Sequence, residues 1–142
     1  MNMAVLGTVL LGGVAAVDAV AVAGELLATA PNLGDGKLIV GEIAQATDEQ
    51  LRSAMDSLKK KTASHAIMLA AASDGKVSFV AAVSDDLIAK GLKAGDWIRE
   101  TAKVAGGGGG GRPQMAQAGG KDPAKIAEAL DVARKFATAK IG

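Results

Sequence analysis

The chain has 142 residues, which is long enough for one domain with a modest core. Hydrophobic residues make up 49% of it and charged residues 22%, as in globular proteins, whereas aromatic residues make up only 2%. With no cysteine and one histidine, the sequence excludes disulfides, thiolate nucleophiles and zinc sites built on Cys and His. The net charge of +1 is unevenly distributed. Residues 1–58 hold 2 basic and 7 acidic side chains, whereas residues 59–142 hold 14 basic and 8 acidic side chains. A basic second half fits a polyanionic partner, with a solvated surface as the competing explanation.

The first apolar stretch, residues 4–23, contains a single charged side chain, Asp18. Its 20 residues match the length of a membrane-spanning helix. However, the stretch is rich in glycine and alanine, and the first basic residue of the chain is Lys37, so no positive flank orients a span. Residues 1–3 contain no basic side chain, which also disfavours a secretory signal. We therefore expect a packed helix rather than a membrane segment.

The same stretch has the apolar spacing of helices that wrap around each other. Steps of four and three residues separate Leu6, Leu10, Gly13, Val17, Val20, Gly24 and Leu27. We predict that this helix pairs two copies of the chain into a homo-oligomer. Pro31 and the glycines after it end the helix. The chain is thereby divided into an apolar helical extension at residues 1–32 and a globular domain at residues 33–142.

Short runs of β-branched and apolar residues predict the strands of this domain. Residues 37–43 form one run, flanked by turn residues. Residues 66–72 and 77–83 form two more, and Asp74-Gly75 between them is a strong hairpin signal. Because both runs are apolar almost throughout, we expect central strands that are covered on two faces. Residues 115–118 are interpreted as a further short strand.

Helix-capping signals predict the helices. Thr47 and Gln50 form a capping box, and the helix that follows ends in three lysines at residues 59–61. These lysines either complement the helix dipole or contact phosphates, and both interpretations remain open. Further helices are predicted at residues 84–91 and 96–105, and from Asp122-Pro123 to about residue 140. The predicted fold class is α+β, with a mixed sheet of about four or five strands flanked by helices.

Residues 106–120 are the most unusual part of the sequence. Six consecutive glycines at residues 106–111 leave the backbone amides uncovered, and Arg112 adds a guanidinium that suits phosphate. A flexible linker is the alternative, but Arg112-Pro113 at the exit and a second Gly-Gly at residues 119–120 favour an ordered loop. The tract follows a predicted helix and lacks the Lys-Ser/Thr pair of a P-loop, so neither dinucleotide nor P-loop binding is supported. His65 has no Asp/His cluster around it in the sequence that would hold two metals.

This segment carries a resemblance to a known family. The glycine tract, Arg112-Pro113 and residues 115–120 (Met-Ala-Gln-Ala-Gly-Gly) resemble the end of the C-terminal domain of alanyl-tRNA synthetase, a DHH-associated domain. Residues 36–40, 74–78 and 93–95 follow the order of the same family. The resemblance therefore covers about residues 19–141. Gln114 departs from it, since the family usually carries Asp at this position.

The resemblance implies a function in recognition. A domain of this family is expected to dock on the elbow of tRNA, here tRNA-Ala, and to act in the cytoplasm. The chain is too short to hold the aminoacylation and editing domains as well, so we expect no catalysis by it alone, and no cofactor or metal. The alternative is the substrate-binding half of a DHH-type phosphodiesterase, which lacks the metal-binding half here.

The predicted binding residues lie on and after the glycine tract. We expect the amides of the tract and Arg112 to bind phosphate, with two lysines nearby. The full set is Gly107, Gly108, Gly109, Gly110, Gly111, Arg112, Gln117, Gly119, Gly120, Lys121 and Lys125. Trp97 has two open interpretations, a core side chain, which its spacing favours, and a platform on which an exposed base stacks.

Overall fold

The computed structural model describes residues 18–141. The strands are β1 (Asn32–Leu33), β2 (Gly36–Glu42), β3 (His65–Ser73), β4 (Lys76–Val83), β5 (Gly108–Gly111) and β6 (Met115–Gly120). The helices are α1 (Ala19–Ala28), α2 (Asp48–Lys61), α3 (Asp85–Ala89), α4 (Ala94–Val104) and α5 (Ile126–Ile141), and a 3-10 turn at Pro123–Lys125 precedes α5.

The strands form one mixed sheet in the order β1-β2-β3-β4-β6-β5. Strands β2 and β3 are parallel, joined by the crossover helix α2, and every other neighbouring pair is antiparallel. The predicted α+β class is confirmed. The sheet has six strands rather than four or five because both Asn32–Leu33 and the glycine tract pair into it.

The two central strands are buried on both faces, as their apolar sequences predicted. Met68 and Phe79 belong to the core under α4 and α5, whereas Ile67, Leu69 and Val80 belong to the core under α1 and α2. The β3–β4 hairpin turns at Asp74 and Gly75, whose φ angles of 54° and 77° are those of a type I′ turn. The sheet therefore separates two helical layers, and the hairpin prediction is confirmed.

Helix α1 packs on the same sheet. It begins after Asp18, whose Oδ1 accepts a 3.0 Å hydrogen bond from the amide of Ala21. Leu26 lies so close to β2 that a Cβ on Gly41 would be 2.5 Å from Leu26 Cδ2. Residues 19–28 thus share a core with α2, and the proposed boundary at residue 32 remains a prediction. Most of the predicted seam, from Leu6 to Val17, lies outside the described residues. Within residues 18–141, no helix has the length and hydropathy to cross a bilayer.

The capping box of α2 forms as predicted. The amide of Gln50 donates to Thr47 Oγ1 at 3.1 Å, and the amide of Thr47 donates to Gln50 Oε1 at 2.8 Å. The helix buries Leu51, Ala54, Met55 and Leu58 along one side. The opposite side of α2 is exposed.

His65 has a structural environment at the start of β3. Its Nδ1 lies 3.0 Å from the carbonyl oxygen of Thr62, and its amide donates to Ser84 Oγ at 2.9 Å. The carboxylate of Asp86 accepts hydrogen bonds from the hydroxyls of Ser64 and Ser84, which together lower the pKa of Asp86. These bonds fix the ends of β3 and β4 to α3.

Trp97 is a core residue. Its side chain is fully buried between α4 and α5, and its Nε1 donates a 2.7 Å hydrogen bond to the carbonyl oxygen of Ala133. Both the apolar ring and the single donor of the indole are therefore satisfied inside the protein. The core interpretation is confirmed, and the base-stacking interpretation is wrong.

Replacing Trp97 by alanine is expected to lower the free energy of unfolding by about 3–5 kcal/mol, because the truncation leaves a cavity between two helices. Urea denaturation followed by circular dichroism measures this. Thr138→Ala, at an exposed position of α5, is the control and should change the same quantity by less than about 0.5 kcal/mol. Equal effects of the two substitutions would contradict the assigned role of Trp97.

Candidate nucleic-acid interface

The glycine tract forms a β-strand and not a loop. Strand β5 pairs with β6 in the register Gly108↔Gly119 to Gly111↔Ala116. Residues 113 and 114 form the turn between them, and the amide of Arg112 donates to the carbonyl oxygen of Met115 at 2.9 Å. The sequence predicted an ordered loop of converging amides; the structure has a paired strand in its place, because amides of β5 enter the sheet ladder.

Close contact with β6 requires glycine at alternate positions of the tract. A Cβ on Gly107 would lie 1.7 Å from the carbonyl oxygen of Gly119, and one on Gly109 would lie 2.4 Å from that of Gln117. A Cβ on Gly108, between them, would meet no atom within 4 Å. Alternate residues of the glycine tract therefore approach β6 more closely than a side chain permits.

The hairpin is fixed to α4 at both ends. At the turn, the amide of Ala94 donates to the carbonyl oxygen of Pro113 at 2.8 Å. At the other end, the amides of Lys121 and Asp122 both donate to the carbonyl oxygen of Ala105, at 2.8 and 3.0 Å. The first turn of α4 also approaches β5, since a Cβ on Gly95 would be 2.9 Å from Gly111 O. The glycine strand is thus held between β6 and α4.

The predicted basic residues lie at opposite ends of this hairpin. Arg112 is exposed at the turn, whereas Lys121 is exposed after the last residue of β6. The rise of about 3.3 Å per residue puts these two positions about 20 Å apart along the strand. Lys125 lies on the 3-10 turn, and its Nζ is 3.7 Å from Glu128 Oε1. The sequence suggested that the two lysines lie near a phosphate site formed by Arg112 and the glycine amides. The structure does not bring the three cations together at one such site.

Two further basic residues border the hairpin. Arg52, on the exposed side of α2, reaches Gln117 on β6, whose Oε1 accepts from Arg52 Nε at 3.0 Å and from Nη2 at 3.2 Å when the amide is oriented to satisfy both groups. Lys76, at the start of β4, lies beside Lys121 and the glycines at that end of the hairpin. Sequence reasoning missed both residues. The sequence offered one indication of a surface role: Arg52 is not among the residues whose spacing predicts the buried side of α2.

These cations are not neutralised by neighbouring carboxylates. In residues 18–141 the ion pairs are Arg99–Asp96, Lys103–Glu100, Lys125–Glu128 and Lys135–Asp131. Arg52, Lys76, Arg112 and Lys121 take no part in them. A strand without side chains is thereby bordered by four unpaired positive charges, a combination suited to an anionic surface. Over the same residues, no three His, Asp or Glu side chains lie close enough together to hold a metal ion.

The family follows from comparison with known proteins. The family model described as the DHHA1 domain matches residues 35–139. This chain belongs to the DHHA1 domain family. The alanine–tRNA ligase of Rhodopirellula baltica is 47% identical to this chain over 121 residues, which are 84% of this chain and 13% of that relative. The chain therefore spans about 13% of the length of the relative it matches.

Solved structures support the same assignment. The C-Ala domain of alanyl-tRNA synthetase from Aquifex aeolicus superposes with a TM-score of 0.68 at 35% identity, covering 78% of this chain and 98% of that domain. A ribosomal-protein family member described as a DHH domain gives a TM-score of 0.55 at 14% identity, covering 84% of this chain and 30% of that one. The second likeness shows the fold alone. The resemblance drawn from residues 106–120 is confirmed.

Gly109→Ala is expected to disrupt the β5–β6 pairing, because its methyl group would collide with the backbone of β6. We expect a loss of about 1–3 kcal/mol in the free energy of unfolding, measured by thermal denaturation, with faster hydrogen exchange at the amides of β6. Gly108→Ala is the matched control, since a methyl group there enters open space. A tract that tolerates both substitutions equally would not be the close-packed strand described above.

Proposed function

We propose that this DHHA1 domain binds tRNA through the β5–β6 hairpin and the cations that border it. The observation that carries the proposal is the set of four unpaired basic side chains around a strand without side chains. The relatives named alanine–tRNA ligase and the C-Ala domain of alanyl-tRNA synthetase support tRNA as the class of RNA.

The physical basis is recognition of an RNA backbone by shape and charge. Structured RNA is recognised largely through phosphates, 2′-hydroxyls and shape, with sequence playing a smaller part. A surface with few side chains lets a rigid RNA approach the sheet closely, and lysine and arginine at its border release condensed counterions from the phosphates. We propose the elbow of tRNA, preferably tRNA-Ala, as the part that docks here. Binding to Arg112 and the glycine residues, as the sequence suggested, stays a prediction.

Within a longer protein, the proposed role of this domain is to hold tRNA for chemistry carried out elsewhere. We propose no catalytic step for it, and we propose the cytoplasm as its location. The likeness to the DHH-domain ribosomal protein, at 14% identity, extends to the fold only and gives no independent support to the phosphodiesterase alternative.

Binding of tRNA should weaken as salt rises, because each phosphate contact releases counterions. Arg112→Ala is expected to weaken binding and to reduce the slope of log K against log salt by about 1. Filter binding between about 50 and 200 mM salt covers the range in which such contacts are lost. Lys135→Ala is the control: it removes one positive charge from α5, on the face of the sheet opposite to α2, and should leave binding nearly unchanged.

An affinity for tRNA that does not depend on salt would overturn the proposal. Equal binding of whole tRNA and of an acceptor-stem minihelix without the elbow would overturn the assignment of the elbow and leave RNA binding in place.

We also propose that α1 contributes to pairing of two chains. Val20 is 42% exposed, and Gly24 and Leu27 are only partly covered by the rest of the domain. These residues continue the apolar spacing predicted for the N-terminal helix.

Val20→Glu should shift the assembly toward single chains, because it puts a charge on the proposed contact between two helices. Light scattering of the full chain at several concentrations measures the molar mass. Ala21→Glu, also on an exposed position of α1, tests whether any added charge has this effect. A molar mass of one chain for the unsubstituted protein at every concentration would end this proposal.

A further inference from the structure

The sheet surface that faces α2 continues past that helix onto β6 and β5. Gln117 pairs with Val80 of β4, whose side chain belongs to the core under α2, so Gln117 projects toward the same side of the sheet. Two adjacent depressions share Gln117 as a lining residue. We call them together the α2-side trough, lined at one end by Asp48, Lys76, Ser78 and Gly119 and at the other by Gly110, Arg112 and Met115.

Arg52 contacts Gln117, the residue that lines both ends of the α2-side trough. Its guanidinium has five N–H donors in a fixed plane, of which Gln117 Oε1 engages the two that lie at 3.0 and 3.2 Å. The other donors remain available, and no carboxylate pairs with Arg52 in residues 18–141. This contact joins residues that are 65 positions apart in sequence.

The charges of the trough form a line. Lys76 lies at the end next to Lys121, Arg52 lies at the level of Gln117, and Arg112 lies at the hairpin turn. The line is about 20 Å long by the rise of the strand. Asp48 is the acidic residue that lines the trough. Lys76 and Arg112 line the trough, and Arg52 contacts Gln117, which lines both of its ends. With Asp48 as the lining acid, the excess of positive charge complements a chain of phosphates.

We infer that the α2-side trough binds one strand of an RNA backbone, with Arg52 contacting phosphate and Gln117 positioning Arg52. The inference rests on the proposed function, and it deepens that function by assigning one RNA strand to the face of β6 beside α2 and a direct phosphate contact to Arg52. A planar guanidinium presents paired donors that match phosphate oxygens, and lysine does not reproduce this fork.

Arg52→Ala in the full chain tests the inference. We expect binding of tRNA to weaken about 3–10-fold near physiological salt, with a salt slope shallower by about 1. Arg52→Lys keeps the charge, so it should keep most of the salt slope while losing part of the affinity. Asp48→Asn removes the opposing charge and should strengthen binding. Lys135→Ala is again the control, and circular dichroism establishes that each variant is folded.

A double-mutant cycle tests the positioning role of Gln117. Gln117→Ala should weaken binding when Arg52 is present and should have little further effect in the Arg52→Ala background. If Gln117 contacted RNA independently of Arg52, or acted only on the stability of the sheet, its substitution would weaken binding equally in both backgrounds. Equal effects would therefore overturn the positioning role.

The outcomes separate this inference from the proposed function. Normal tRNA binding by Arg52→Ala and by Lys76→Ala, together with weakened binding by Arg112→Ala, would overturn the trough and leave binding at the turn intact. Absence of salt-dependent tRNA binding by the unsubstituted chain would overturn the proposed function itself. Competition by polyglutamate as effective as that by tRNA, at equal ionic strength, would overturn the assignment of the trough to RNA.

Discussion

The close contact between β5 and β6 is the constraint on which the candidate interface depends. At alternate positions of β5 the backbone of one strand occupies the space that a Cβ would need beside the other, so these positions accept only glycine. Glycine is also required on α4, where the absence of a Cβ at Gly95 lets the helix approach the backbone of Gly111. A strand held this tightly on two sides is rigid although it is made of the residue with the greatest conformational freedom.

Rigidity and absence of side chains together give the edge of the sheet its proposed use. An exposed edge strand usually needs charged residues or a cover against pairing with other chains. Here β5 has no side chains of its own, and the charges are supplied by its neighbours: Arg112 from the turn, Lys76 from β4 and Arg52 from α2. The backbone can thus approach a partner closely while the surrounding cations favour a negative one.

The sequence predicted what local patterns encode. The capping box at Thr47, the turn at Asp74-Gly75 and the core position of Trp97 follow from spacing and residue type, and all three are present. The glycine strand could not be predicted in this way, because a run without side chains has no periodicity to distinguish a strand from a loop. The contact of Arg52 with Gln117 depends on packing between α2 and β6, which no local pattern records.

The position of the cations changes the kind of recognition that the fold supports. A loop with converging amides and one arginine would select a single phosphate, as helix N-termini and nests do. Cations spaced along a strand instead match the repeated charge of a polymer, and each contributes a separate, salt-sensitive contact. Three of them stand on different elements, α2, β4 and the hairpin turn, so their spacing is set by the packing of the sheet against α2. The fold therefore sets which shapes of polyanion the interface can bind. A polyanion whose backbone does not follow the line of cations loses one phosphate contact for each cation that it does not reach.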